Sequence, residues 1–311
     1  MKKKILLQKF FMTPEELSVY YMHRRSKIIR EEKPIRGVRL RQMIHPLLLW
    51  VLALDRRSRH QTYEVIRDRR TASRRPHIFA CTHIGYDDIA TILESVKTDA
   101  YVFLGDPKTL YKDPAGLLLY LNGCVFVELQ DRGDRKVSVE LSKRTLQAGG
   151  SLLIFPEGVW NITESTPVLK LYQGAARFAM ETGADIIPVA IDQIGSHFVV
   201  NIGENMDPEQ YVEAGKMTED LRTALATLKW EIFEERGLCS RAAVEPDEWK
   251  HHLRDIWGCR NNKEVTVEEI ERGKFRDKAV VTPGQAFAPL QGLEPSRQNA
   301  FLFRSLYTAE I

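Results

Sequence analysis

The sequence predicts an α/β fold with a mixed, largely parallel sheet flanked by helices and preceded by basic N-terminal helices. Short apolar runs alternate with amphipathic segments from His77 onward, which is typical of strands connected by helices. The first four runs are almost continuously apolar, as expected of strands buried on both faces. Residues 1–80 carry 20 Lys and Arg against 7 Asp and Glu, a local net charge of +13 in a chain whose total is +3.

Six short apolar runs are strand candidates because each is bounded by turn-forming or charged residues. They occupy 77–82, 100–104, 124–129, 151–155, 186–191 and 197–202. Apolar residues recur at helical spacing over 89–96, so a helix packed on the sheet is expected to follow Asp88. Another helix is expected to end before Gly149 and Gly150, since glycine commonly follows a helix C-terminus. A last one is expected over 219–232, where leucines recur at helical spacing.

The chain is expected to divide into three regions. These are a basic, helical, membrane-associating region at 1–76, an α/β core at 77–236 and a C-terminal extension of unassigned role at 237–311. With 43% hydrophobic and 28% charged residues, the composition is that of a globular protein rather than a disordered chain. The 4 cysteines form no close pair, which argues against a disulfide framework or a zinc site.

An apolar segment at 43–54 lies between arginines in the basic region. It is shorter than the roughly 20 apolar residues that a spanning helix needs, so it is either an interfacial helix or a helix of the core. The positive charge would attract anionic lipid headgroups or nucleic acid, or form a solvated helix face. The apolar segment favours an anionic membrane surface, and no nucleic-acid-binding module accompanies the charge.

The first residues imitate a signal peptide without completing one. Gln8 and Lys9 interrupt the apolar part, and no small-residue cleavage site follows. No export is therefore expected, and the predicted location is cytoplasmic and peripheral, on the inner face of the membrane.

A histidine and an aspartate follow the first predicted strand. Residues 82–88 read THIGYDD, with His83 directly after the strand and Asp88 at the start of the next helix. The carboxyl edge of a strand is where the sites of α/β proteins gather. A carboxylate at this spacing can fix the imidazole tautomer and stabilise its protonated form, which makes a general base. Asp87 is an alternative partner if the helix begins early; otherwise it serves as a helix cap or N-terminal charge.

A second polar turn follows the fourth predicted strand, where residues 152–158 read LLIFPEG. Pro156 fixes the backbone and Gly158 permits close approach, so the turn projects Glu157 from the end of the strand. Such a glutamate either binds a polar acceptor or acts as a turn or cap residue. Because both turns follow buried strands, they can converge on one edge of the sheet.

Together the two segments resemble the motifs of the lysophospholipid and glycerol-phosphate acyltransferase family, which includes PlsC-like 1-acylglycerol-3-phosphate acyltransferases. Residues 83–88 match the family's HxxxxD motif, and residues 155–158 match its FPEG motif in full. Pro188 is similar to a proline in a late strand of the family. The resemblance spans about residues 77–236.

The resemblance implies transfer of a fatty acyl group from acyl-CoA or acyl carrier protein to the hydroxyl of a lysophospholipid, as in phospholipid biosynthesis. It implies His83 and Asp88 as the catalytic pair, without an acyl-enzyme, a metal or a tightly held cofactor. The acceptor-binding residues that it implies are Phe155, Pro156, Glu157 and Gly158.

One departure from the family pattern concerns the acceptor phosphate. The family's GxxFxxR motif ends in an arginine that holds this phosphate, and Leu129 stands at its position here. Arg132, Arg135 and Lys136 are candidates to replace it, since a long basic side chain tolerates displacement. Surface helix charge explains them equally well.

A second departure follows the FPEG motif. The family continues Thr-Arg-Ser, whereas this chain has Val159, Trp160 and Asn161, and Lys170 is a further candidate cation. A non-phosphate acceptor therefore stays open, as does a catalytically inactive membrane-binding scaffold. A hydrolase is disfavoured because the chain contains no GxSxG elbow.

Overall fold

The computed structural model describes residues 12–32, 35, 37–85, 87–105, 114–127, 131–161 and 166–237, together with 243, 245, 248 and 251–253. The chain divides into two compact units, Met1–Gly273 and Lys274–Ile311, and every described residue belongs to the first. The C-terminal extension predicted at 237–311 lies almost entirely outside the described residues.

Seven strands of the described residues form one sheet. They are β1 (Thr62–Asp68), β2 (His77–Cys81), β3 (Tyr101–Gly105), β4 (Cys124–Val127), β5 (Leu152–Ile154), β6 (Asp185–Ile194) and β7 (His197–Ile202). Their order is β1-β7-β6-β2-β5-β3-β4, and every neighbouring pair is parallel except β6 with β7. The mixed, largely parallel sheet that the sequence predicts is confirmed.

Helices cover both faces of the sheet. They are α1 (Pro14–Arg30), α2 (Val38–Ser58), α3 (Asp88–Val96), α4 (Pro114–Asn122), α5 (Arg132–Gln147), α6 (Gly174–Thr182) and α7 (Ala214–Arg236). Residues of β2 alternate between two buried clusters, as the pleat of a strand requires. Ile78 and Ala80 pack with residues of α5, α6 and α7, whereas Phe79 and Cys81 pack with residues of α3. The central strands are therefore buried on both faces.

The sheet begins earlier than the sequence predicts. β1 pairs in parallel with β7 at the edge of the sheet, so the first strand starts at Thr62 and not at His77, inside the region predicted to be helical. The pattern of β1 was missed because an edge strand has a single neighbour and tolerates charged side chains such as Glu64 and Arg67, both of which are exposed.

Ion pairs with the rest of the fold use much of the N-terminal positive charge. Arg25 of α1 lies 2.6 Å from Asp134 at the start of α5, and the Asp134 side chain is almost fully buried. Further along, Arg56 of α2 pairs with Glu94 of α3 at 3.1 Å, and Arg69 after β1 pairs with Glu231 of α7 at 2.8 Å. Positive charges of the N-terminal part are therefore neutralised by acidic side chains of the helices that pack against it.

α2 has two apolar faces. Val38, His45 and Leu48 are buried against the core. On the opposite side, a row that we call the apolar stripe of α2 is 42% to 78% exposed, and it recurs every three or four residues, as neighbours along one helix face do. It consists of Leu40, Met43, Leu47, Trp50 and Leu54. Among the described residues, no helix is long and apolar enough to cross a membrane.

Asp99 should make stability depend on pH. It is buried between α3 and β3 with neither carboxylate oxygen hydrogen bonded, and burial raises its pKa from 3.8 to about 6 despite the nearby charge of Arg41. The folded protein therefore binds this proton more tightly than the unfolded chain, so the free energy of unfolding falls as pH rises through this window. We expect Asp99→Asn to be more stable than the parent by about 1 to 3 kcal/mol near pH 8 and similar near pH 4.

Urea unfolding of both proteins at the two pH values measures this difference. Equal destabilisation of Asp99→Asn at both pH values would contradict the expectation, because the cost would then come from packing rather than from charge.

Candidate active site

The sheet brings the two predicted motif turns side by side. β2 and β5 pair in parallel, with Ala80 opposite Ile154. The chain leaves β2 toward His83 and leaves β5 toward Phe155, so both turns emerge at the same edge of the sheet. Thr82 fixes this edge further, because its hydroxyl accepts a hydrogen bond from the Ile191 N–H of β6 at 3.0 Å.

His83 and Asp88 form a hydrogen-bonded pair. The His83 Nδ1 atom lies 2.6 Å from Asp88 Oδ2, and the same oxygen accepts from the backbone N–H groups of Ile84 at 2.9 Å and Gly85 at 3.2 Å. The Asp88 side chain is fully buried, whereas that of His83 is 16% exposed. A carboxylate that accepts at Nδ1 holds the proton there, which leaves Nε2 as the basic nitrogen.

The helix start explains how Asp88 is held in place. Asp88 is the first residue of α3, where the amide dipoles favour a negative side chain. The two backbone N–H groups that donate to its carboxylate belong to Ile84 and Gly85, in the turn before the helix. These hydrogen bonds hold the turn in place around the carboxylate. Asp87 occupies the cap position but makes no side-chain cap hydrogen bond; its carboxylate instead accepts from the Gln61 side chain at 2.9 Å. Asp87 is therefore the N-cap residue, as the sequence predicts, although its side chain bonds to Gln61 and not to the helix backbone.

Aromatic rings surround the imidazole of His83. The Phe155 ring stacks on it with a centroid distance of 3.8 Å and an interplanar angle of 17°. Trp160 meets it edge-on at 5.9 Å. The His83 carbonyl also accepts a hydrogen bond of 2.7 Å from the N–H of Asn161. The residues after the FPEG turn thus wrap around the histidine.

Glu157 is a buried brace rather than an exposed ligand. Its side chain is fully buried, and its two oxygens accept from the backbone N–H groups of His83 at 3.2 Å and Leu169 at 2.8 Å. Burial raises the pKa of this carboxyl, while the two amide hydrogen bonds act in the opposite direction. Each oxygen therefore already has a backbone donor, and the acceptor-binding role implied for Glu157 stays a prediction.

The other residues of the FPEG turn also have positioning contacts. The Pro156 carbonyl accepts from the N–H of Tyr172 at 2.8 Å, which brings the Tyr172 ring over Gly158. Gly158 has a φ of +72°, and a Cβ atom there would lie 2.7 Å from that ring. Glycine is therefore required by both the backbone conformation and the close approach.

The predicted cations Arg132 and Arg135 lie on the helix that follows the edge strand β4. Both are exposed residues of α5, and the strand order puts β5 and β3 between β4 and β2. At roughly 4.8 Å per strand, β4 is about 14 Å across the sheet from β2, and the acceptor-binding role of these cations stays a prediction. Lys170 is exposed next to the braced Leu169. Leu129 lies outside the described residues, so its effect stays a prediction.

Several site residues were not found by sequence reasoning. Trp160 departs from the family's pattern in the sequence, but nothing local predicts its contact with the histidine. Arg59 and Gln61, which meet Asp87, come from a segment that the sequence places in another region. No group of three or more His, Cys, Asp or Glu side chains suited to a metal ion occurs in the described part of the chain.

Comparisons with known proteins find similarity to acyltransferases. Residues 58–192 match a family model described as Acyltransferase, a span that begins just before β1. Human 1-acyl-sn-glycerol-3-phosphate acyltransferase beta is 26% identical over 137 residues, which are 44% of this chain and 48% of that protein. The 1-acyl-sn-glycerol-3-phosphate acyltransferase of Borreliella burgdorferi is 25% identical over 122 residues, which are 39% of this chain and 48% of that protein. The chain spans about half the length of these curated relatives.

A solved structure has the same fold. The crystal structure of the 1-acyl-sn-glycerophosphate (LPA) acyltransferase, PlsC, from Thermotoga maritima superposes with a TM-score of 0.52 at 18% identity. The match covers 77% of this chain and 99% of that one. It therefore includes more of the chain than the family model does.

Removal of the Glu157 carboxylate should destabilise the fold. Glu157→Ala leaves two buried backbone N–H groups without an acceptor, so we expect a loss of about 2 to 4 kcal/mol in the free energy of unfolding. Glu157→Gln retains one acceptor oxygen and should lose less. Urea unfolding of the two variants beside the parent measures both losses, and equal stability of all three would contradict the brace.

Proposed function

We propose that this chain is an acyltransferase of the PlsC-like family that transfers a fatty acyl group to a lysophospholipid hydroxyl; the match of residues 58–192 to a family model described as Acyltransferase supports the proposal. The proposed acceptor is a lysophospholipid such as 1-acylglycerol-3-phosphate, and the proposed donor is acyl-CoA or acyl carrier protein. The observation that carries the proposal is the His83 to Asp88 pair, with Nδ1 hydrogen bonded at 2.6 Å. Fold and motifs alone would leave the chemistry open, because one fold hosts many activities.

In the proposed reaction His83 acts as a general base. Its Nε2 atom takes the proton of the acceptor hydroxyl while the hydroxyl oxygen attacks the thioester carbonyl. The new ester C–O bond forms, the C–S bond breaks, and the imidazolium returns the proton to the departing thiolate. Asp88 stabilises the imidazolium during this step, and a positioned base of this kind contributes roughly 10²- to 10⁴-fold in rate. No metal or resident cofactor enters this scheme.

The contacts of His83 favour catalysis because they limit its motion. Its backbone N–H is held by Glu157 and its carbonyl by Asn161, while the Phe155 ring lies flat against the imidazole. A base that is already oriented spares the reaction the entropy of positioning it. The FPEG residues are thus proposed to act through the histidine instead of through the acceptor.

We also propose that α2 rests on an anionic membrane at the cytoplasmic face. Its apolar stripe is 42% to 78% exposed in the described fold, and a helix that is apolar on two sides needs a second apolar environment. Arg39 and Arg57, near the two ends of α2, are exposed and suited to lipid phosphates. Lysolipid acceptors and long acyl chains reside at such a surface, so this placement would deliver both to the site.

A second candidate is acyl transfer to an acceptor that lacks a phosphate monoester. Trp160 favours this candidate, because an apolar ring instead of a cation lies next to the histidine, 5.9 Å from the His83 ring. The predicted replacement cations Arg132 and Arg135 start about three strand spacings away. A panel of lysolipids with phosphate, choline and uncharged headgroups distinguishes the two acceptor classes.

Replacement of the catalytic pair should abolish product formation. We expect His83→Ala and Asp88→Asn each to lower the rate by roughly 10²- to 10⁴-fold without loss of the folded circular-dichroism spectrum. Product formed from labelled acyl-CoA and acyl carrier protein donors is measured by mass spectrometry across the lysolipid panel. His77→Gln, at the opposite end of the same strand β2, is the matched control and should retain activity within about twofold.

Two outcomes would contradict the proposal. Undiminished activity of a folded His83→Ala protein would remove His83 from the chemistry. A folded parent protein without product across the whole panel would favour the non-catalytic scaffold.

Charged substitutions in the apolar stripe should release the protein from membranes. Burial of one large apolar side chain is worth about 1.5 to 3 kcal/mol, so Leu47→Glu with Trp50→Glu should reduce co-flotation with phosphatidylglycerol vesicles at least about tenfold. Val212→Glu, an equally apolar position that is 94% exposed before α7, is the control and should float like the parent. Equal flotation of the two variants would rule out the stripe as the docking face.

A further inference from the structure

The end of α2 contacts the residue next to the catalytic aspartate. Arg59 caps the C-terminus of α2, and its guanidinium lies 2.6 Å from Asp87 Oδ1. Two residues later, the Gln61 side chain donates to the other Asp87 oxygen at 2.9 Å. Both carboxylate oxygens of Asp87 are therefore engaged by the segment that follows α2, and neither turns toward α3.

Asp87 is an acid that the proposed chemistry does not use. It is only 7% exposed and directly precedes Asp88. Its backbone carbonyl accepts from the N–H of Thr91 at 3.1 Å and from the Thr91 hydroxyl at 2.9 Å, so the backbone belongs to α3. A buried carboxylate needs a compensating partner, and the partner here is the cation at the end of α2.

A second contact ties α2 to the far end of α3. The Arg56 guanidinium donates to both oxygens of Glu94, at 3.1 to 3.2 Å, and its third nitrogen donates to the Gln61 carbonyl at 3.0 Å. Bidentate arginine pairs fix orientation as well as distance. The last turn of α2 thus holds α3 at both ends, and the catalytic turn lies at one of them.

We propose that Arg59 and Asp87 are a positioning pair that joins the catalytic turn to α2 and cancels the charge of Asp87 beside the His83 to Asp88 pair. The effect of this pair on catalysis rests on the proposed acyl transfer at His83. Its electrostatic effect on the His83 imidazole does not depend on that proposal. If α2 rests on a membrane, the same pair links the docking helix mechanically to the turn that carries the base.

Other charged groups near the pair also contribute to the electrostatic potential in this region. The described groups that face this region from the packed elements are Asp55, Arg56, Cys81, Asp88, Glu94, Glu157 and Lys229. Glu94 is already neutralised by Arg56, and Lys229 acts on Glu157 from α7. Removal of the Arg59 charge alone would leave the Asp87 carboxylate without this cation, while the neutral Gln61 amide still donates to it.

The test follows the His83 imidazole directly by NMR titration, with the resonance assigned by its loss in His83→Gln. In Arg59→Met the bare Asp87 carboxylate favours the imidazolium, so the titration midpoint should move to higher pH by about one unit. In Asp87→Asn the uncompensated Arg59 should move it to lower pH. In the double variant the two changes cancel, and the midpoint should return to within about 0.3 units of the parent.

A matched control separates charge from packing. Asp55→Asn removes the other acid that Arg59 contacts, at 2.5 Å on the exposed side of α2, and should leave the midpoint unchanged. Arg59→Lys keeps the cation and should do the same. If Arg59→Met fails to fold, the downward movement in Asp87→Asn tests the pair by itself. Midpoints of Arg59→Met and Asp87→Asn that match the Asp55→Asn control would overturn the pair.

Kinetics then test whether the pair matters for turnover. We expect the acid limb of the kcat profile of Arg59→Met to follow its titration midpoint. On that limb kcat should be about tenfold lower than in the parent, with KM for the acyl donor within about twofold. Opposed midpoint shifts in the two single variants, together with a parent protein that makes no product, would support the pair and reject the proposed function. Product formation without midpoint shifts would support the proposed function and reject the pair.

Discussion

The parallel pairing of β2 with β5 is the constraint on which the site depends. It sends the HxxxxD turn and the FPEG turn out of the sheet at one edge, although about 70 residues separate them. Glu157 then fixes the two turns relative to each other, because its buried carboxylate accepts from the N–H groups of both His83 and Leu169. A buried carboxylate with two donors is stable only while both donors stay in place. Burial, hydrogen bonding and topology thus specify one position for the histidine.

Charge in this protein acts mainly between elements. The basic N-terminal part suggests a surface for anions, yet Arg25, Arg56 and Arg59 contact buried or nearly buried acids on α3, α5 and the turn before α3. Such pairs fix orientation, and loss of one partner leaves the other as a costly buried charge. What remains for a lipid surface is the apolar stripe of α2 and the exposed arginines near its ends. The proposed membrane docking and the attachment to the core would therefore use different faces of the same helix.

The aromatic surroundings of His83 bear on the choice of acceptor. Phe155 and Trp160 contact its ring, and the FPEG residues have internal partners. In the proposed reaction these contacts orient the base, and recognition of the acceptor headgroup would fall to other segments.

The sequence by itself determined the fold class, all strands but β1, and the juxtaposition of His83 with Asp88, because hydrophobic periodicity and short motif spacing are local properties. It left open whether Glu157 binds an acceptor, and it did not anticipate the contact of Arg59 with Asp87. It missed β1, whose half-exposed edge position produces no continuous apolar run. These features were decided by tertiary structure, since burial and ion pairing depend on which distant segments the sheet and helices bring together.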